Sequence, residues 1–161
     1  MKIILSFLAL TFSLQTIAQK EMPYHPEADA KSEIKIAVKK AKKENKFVLI
    51  QAGGNWCSWC LEFARFAKAD AEIDSLINAD FVWYHLNYSK ENKNLQLFEK
   101  YGFAQRFGFP VFIVLDQKGN RIHTQNSEYL EDGKKSYDKK KVLSFLNAWS
   151  PAALDAGKYR N

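Results

Sequence analysis

Cysteine is nearly absent from this chain of 161 residues: Cys57 and Cys60 are the only two. No disulfide can therefore staple distant segments, and the fold must rest on a buried core, for which the length is ample. Histidine is also scarce, and none of His25, His85 and His123 stands at a metal-ligand spacing from the cysteines. Outside an apolar stretch at residues 3–14, no run approaches the roughly 20 residues needed to cross a bilayer. There is no internal repeat, which excludes a solenoid, and no low-complexity segment.

Charge is present in excess, with 24 basic against 18 acidic residues and a net +6. The surplus sits in lysine groups, Lys39-Lys40, Lys42-Lys43 and Lys139-Lys140-Lys141, with no interleaved aromatics. They read as solvated helix faces rather than a nucleic-acid surface. Met1-Lys2, the apolar residues 3–14 and Thr16-Ile17-Ala18 have the layout of a secretory signal peptide, expected over residues 1–18. The mature chain is expected to be soluble and exported, to the periplasm or beyond the cell, without stable membrane insertion. Residues 19–45 are then a lead-in and a helix, 46–150 the main domain, and 151–161 a tail.

The cysteines occupy the stretch Gly53-Gly54-Asn55-Trp56-Cys57-Ser58-Trp59-Cys60. It follows the apolar run Phe47-Val48-Leu49-Ile50 and precedes a helical pattern reaching about Lys68. A strand-to-helix junction puts Cys57 at the positive end of a helix dipole, where the thiolate, the nucleophilic form, is favoured. A purely structural role fits poorly. In the loop-entropy model a loop of about four residues stabilises by only roughly 2 kcal/mol, against about 3 for fifteen. The spacing points to redox chemistry.

Around this stretch the periodicity predicts alternating elements. Ile34, Ala37, Val38 and Ala41 form one stripe of a helix over residues 29–45. Strands are expected at Phe47–Gln51, Phe81–Asn87 and Val111–Leu115, the last turning at Gln117-Lys118-Gly119-Asn120 into Arg121–Gln125. Helices are expected after Cys57, over Ala71–Asn78, Asn94–Tyr101 and Lys139–Trp149, with residues 126–138 a polar loop. Alternation implies parallel pairing, and the hairpin adds an antiparallel part. The expected fold is an α/β three-layer sandwich, a mixed sheet of about four or five strands with helices on both faces.

Over roughly residues 46–149 the sequence resembles the thioredoxin superfamily, most closely its bacterial periplasmic members. Trp56-Cys57-Ser58-Trp59-Cys60 resembles the family's Trp-Cys-x-x-Cys site, and Gly108-Phe109-Pro110 its Gly-x-Pro with a cis proline. The resemblance implies attack by Cys57 and resolution by Cys60. Burial one turn into the helix independently disfavours charge on Cys60. Substrate contact is expected at Phe109 and Pro110 from the resemblance, and at Trp56 and Trp59 because they flank the nucleophile. Where the family often carries a buried acid, this chain has Gln51, which cannot take a proton near neutral pH. His85 and Glu62 are the candidate proton-transfer groups.

The function expected is an exported thiol–disulfide oxidoreductase acting on proteins, as reductase or isomerase rather than primary oxidase. It would need no cofactor beyond the Cys57–Cys60 pair. Its partners would be thiol- or disulfide-bearing proteins and an upstream thiol–disulfide donor or acceptor, with no nucleic acid. The alternatives are a non-catalytic binding module on the same fold and, behind it, a copper or zinc carrier.

Overall fold

The computed structural model describes residues 22–160, so the expected signal peptide lies outside the described residues. Helix α1 (Ala30–Glu44) starts where the Asp29 carboxylate accepts the Ser32 N–H at 3.1 Å. It ends at Asn45, which takes the left-handed conformation (φ 55°) that asparagine tolerates. Its stripe Ala30, Ile34, Ala37 and Ala41 is buried, and Lys39, Lys40, Lys42 and Lys43 point to solvent. Strand β1 (Phe47–Gly53) follows and leads into α2 (Ser58–Ala69). Asp70 then closes α2 and opens α3 (Ala71–Asp80), its carboxylate accepting the N–H groups of Glu72 and Ile73.

Strand β2 (Phe81–Asn87) and the short helix α4 (Leu95–Lys100) come next. The hairpin of β3 (Val111–Leu115) and β4 (Arg121–Asn126) follows, and α5 (Lys139–Ala148) closes the domain. The sheet order is β2-β1-β3-β4. Strand β2 runs parallel to β1, in register from Phe47 opposite Phe81 to Gly53 opposite Asn87. Strands β3 and β4 are antiparallel to their neighbours. This is the expected mixed sandwich, with four strands.

Side-chain alternation along the strands divides two cores. Val48, Ile50, Ala52, Leu86, Val111 and Ile113 face α1 and α4. Leu49, Phe81, Phe112 and Val114 face α2, α3 and α5, around Phe63. That alternation places Gln51 and His85 on the α2 side, at paired positions of β1 and β2.

The polar stretch 126–138 departs from a plain loop. It holds a 3-10 turn at Ser127–Leu130 and a bridge between Glu131 and Tyr137, and it buries Leu130 and Tyr137. No local period marks these residues. The Tyr137 ring is held by long-range packing, 5.0 Å from that of Phe63 and 5.5 Å from that of Trp59. Among the described residues no helix is long and apolar enough to cross a membrane.

Candidate redox site

The two cysteines form a disulfide, S–S 2.09 Å, at the head of α2. Cys57 is the N-cap residue, and the Cys60 backbone N–H donates to its Sγ at 3.1 Å. An N–H aimed at sulfur and the positive helix end both favour negative charge on Cys57 once the pair is reduced. Cys57 is 6% exposed and Cys60 fully buried, so only Cys57 offers an edge to a partner. The arrangement is a dithiol–disulfide couple with one sulfur presented and one enclosed, and its chemistry is thiol–disulfide exchange.

Two glycines let the backbone come this close. A Cβ at Gly53 would overlap Cys60 Sγ. One at Gly54 would overlap the Trp56 indole and stand 2.8 Å from the Tyr88 carbonyl oxygen. Trp56 is 60% exposed, and its Nε1–H donates to that carbonyl at 2.7 Å. Trp59 is half-buried, edge-on to Tyr137. Trp56 is thus the more open of the two tryptophans.

Phe109 is half-buried and meets Trp56 edge-on at 5.8 Å and Tyr88 at 4.8 Å. The Phe109–Pro110 peptide bond is cis, and Pro110 is buried. A groove of about 600 Å³ is lined by Trp56 with Pro26, Asn55 and Tyr88, and neither cysteine lines it.

Beneath Cys60, Gln51 is fully buried and donates from Nε2 to the Cys60 carbonyl oxygen and to the Tyr24 hydroxyl, each at 2.8 Å. His85 pairs with Gln51 across the strands and meets the Tyr24 ring edge-on at 5.3 Å. Burial, then the Lys68 and His25 charges, pull the imidazole down to about 4, so it is neutral near pH 7. Glu62 is engaged elsewhere. Its carboxylate accepts from Arg65 at 2.7 and 2.9 Å and from Ser136 Oγ at 2.6 Å. Chiefly the Arg65 hydrogen bond holds it below the usual carboxylate range.

Two residues of the site escaped the sequence reading. Tyr24, in the expected extended lead-in, is 1% exposed and packs with Cys57 and Cys60. Tyr137, in the expected loop, donates its hydroxyl to the Trp59 carbonyl oxygen at 3.1 Å. The only local signal for Tyr24 is a large aromatic set between Pro23 and Pro26.

Residues 34–131 match the family model of a thioredoxin-like domain. Over 92 residues the chain is 26% identical to the thiol:disulfide interchange protein DsbD of Colwellia psychrerythraea, covering 56% of this chain and 14% of that protein. The chain thus aligns with a small part of that longer relative. Among solved structures, a disulphide isomerase from Xylella fastidiosa Temecula1 superposes with a TM-score of 0.69 at 24% identity, covering 80% of this chain and 97% of that one. The C-terminal domain of Neisseria meningitidis DsbD, oxidised, gives 0.54 at 18% identity, covering 74% and 95%. At these identities the structural likeness is one of fold. The family match spans more than half of the sequence and contains the cysteine pair, and the chain belongs to the thioredoxin-like domain family.

Proposed function

We propose that this protein is an exported thiol–disulfide oxidoreductase that exchanges disulfides with protein substrates, as reductase or isomerase rather than primary oxidase. The observation that carries the reading is the asymmetry of the pair: Cys57 caps α2 and reaches the surface, while Cys60 is sealed beneath it. The names of the relatives, an interchange protein and a disulphide isomerase, support the class. Export rests on the sequence of residues 1–18.

In the reducing direction the Cys57 thiolate attacks one sulfur of a substrate disulfide. The substrate S–S bond breaks, one substrate sulfur leaves as thiolate, and a mixed disulfide forms. The Cys60 thiolate then attacks Cys57 Sγ and releases the second substrate thiol. Two electrons pass from the dithiol to the substrate, and an upstream dithiol restores the pair. The exposed Trp56 and its contact Phe109, with Pro110, form the rim where an extended substrate segment docks, and Trp59 lies beside it. Of the two proton-transfer candidates, His85 is the one paired with Gln51 across the strands, and Glu62 is held by Arg65 and Ser136.

The test is reduction of insulin by the dithiol-reduced protein. Turnover is expected from the unaltered chain and its loss in Cys57→Ser. Cys60→Ser should trap a mixed disulfide. An unaltered protein that never exchanges with a disulfide substrate is the outcome of a binding module and overturns the reading.

A further inference from the structure

Position 51, where the resemblance places an acid, holds a neutral amide, and the space beside Cys60 is filled by Tyr24. A Cβ built on Gly53 would stand 3.1 Å from Tyr24 Oη and overlap Cys60 Sγ, so hydroxyl and sulfur border one small space. The hydroxyl is oriented. The Cys60 carbonyl can only accept, which fixes Gln51 Nε2 toward it, and the same nitrogen donates to Tyr24 Oη. The oxygen of Tyr24 is thereby an acceptor, and its own hydrogen is left to give. The backbone is fastened as well. Tyr24 N–H donates to Asn55 Oδ1 at 3.2 Å, and Asn55 Nδ2 donates to the Tyr24 carbonyl oxygen at 2.7 Å. Asn92 Nδ2 holds the Pro26 carbonyl oxygen at 2.9 Å.

We infer that Tyr24, held by Gln51 and Asn55, is the positioning residue of the resolving step, its hydroxyl donating to the Cys60 thiolate. The inference rests on the exchange reading above. In that step Cys60 S–H loses its proton and the thiolate attacks Cys57 Sγ. The bond from Cys57 to the substrate sulfur breaks, and that sulfur leaves with the electron pair and takes up a proton. Electrons and protons balance without an outside oxidant. A bare thiolate in a buried site is costly, and a hydrogen bond from Tyr24 lowers that cost.

Burial drives the Tyr24 phenol far above its ordinary range, so it remains a neutral donor. The groups facing it are His85 from β2 and Tyr137 from the segment before α5, with Cys57 at the head of α2. Burial holds His85 neutral near pH 7 and raises the Tyr137 phenol. Farther out on α2, Lys68 acts on His85 and Glu62 on Tyr137.

The experiment compares Tyr24→Phe, which keeps the ring, with the unaltered full chain. The Cys60 thiolate is titrated by its ultraviolet absorbance in a Cys57→Ser background. Release of glutathione during reduction of oxidised glutathione by the two-cysteine protein gives the resolving rate across pH. The expected result is a Cys60 midpoint raised by about one pH unit, a tenfold loss of thiolate. Resolution should slow by a similar factor below the midpoint, and the two profiles should converge at higher pH. Gln51→Leu, which frees the hydroxyl without removing it, should shift the midpoint the same way and serves if Tyr24→Phe does not fold. Coincident midpoints and rate profiles overturn the assignment. Failure of the unaltered chain to exchange at all overturns the exchange reading instead, since the midpoint comparison reads Tyr24 independently of turnover.

Discussion

Gln51, on the central strand β1, donates an amide hydrogen to the carbonyl oxygen of Cys60 at 2.8 Å. The sheet is thereby tied to the first turn of α2 directly behind the enclosed sulfur. A carboxylate at this position could not make that bond, because it has no hydrogen to give when ionised. The amide supports the backbone of the resolving cysteine and leaves its proton to other groups.

Replacing Gln51 by leucine removes both donors and strands the Tyr24 hydroxyl in a buried site. The loss is expected at about 1–3 kcal/mol, the cost of leaving a buried polar group unsatisfied. Urea unfolding of the oxidised protein measures it, and a change below a few tenths of a kcal/mol would contradict the hydrogen bonding described.

His85 makes the fold acid-sensitive. Its pKa is about 4 in the folded chain against 6.5 when unperturbed. Between those values the unfolded chain binds a proton that the folded one refuses, so stability falls as pH drops from about 6.5 through 4. The full loss is roughly 3 kcal/mol once pH lies below the folded value. His85→Phe should lose less stability on acidification than the unaltered chain, read as the difference between their urea midpoints at pH 7 and pH 4. In His85→Ala the mixed disulfide should resolve more slowly, and unchanged turnover would remove His85 from the mechanism.

Gly53→Ala would set a methyl group against Cys60 Sγ, 3.2 Å from Cys60 Cβ and 3.1 Å from Tyr24 Oη. Overpacking of this kind costs about 1–3 kcal/mol. Thermal unfolding should show the loss, and turnover should fall with it because the displaced atoms are those of the resolving cysteine. An alanine variant with unaltered melting and turnover would mean that the strand end yields freely.

The reduction potential of the pair separates the directions of transfer. A reductase or isomerase should lie at or below roughly −180 mV, with the thioredoxin regime near about −270 mV. A value near about −120 mV would assign the chain to oxidation. Trp56 directly precedes Cys57 in the chain, so equilibration against glutathione buffers with tryptophan fluorescence as readout gives the number.

Much of the fold was legible because its signals are local. The run Phe47–Ile50, the strands Phe81–Asn87 and Val111–Leu115 and the stripe of α1 carry the periods of strand and helix, and the structure has each. The strand order β2-β1-β3-β4 was not legible, since pairing depends on packing between distant segments. Tyr137 shows the same limit. It sits in a stretch of lysine, serine, glycine and aspartate, and long-range packing on Phe63 and Trp59, with the hydrogen bond to the Trp59 carbonyl, gives it a place.

What the sequence determined by itself was the attacking end of the chemistry. Cys57 gains its position and its favoured charge from the strand before it, the glycines and the first turn of α2, all within a few residues. What only the tertiary structure decided was the surroundings of Cys60. The hydrogen bond from Gln51 to Tyr24 joins residues 27 positions apart, and that from Tyr24 to Asn55 joins residues 31 apart. No short-range pattern encodes such contacts. They exist because the sheet and α2 leave a space behind one sulfur, and the lead-in supplies the side chain that fills it.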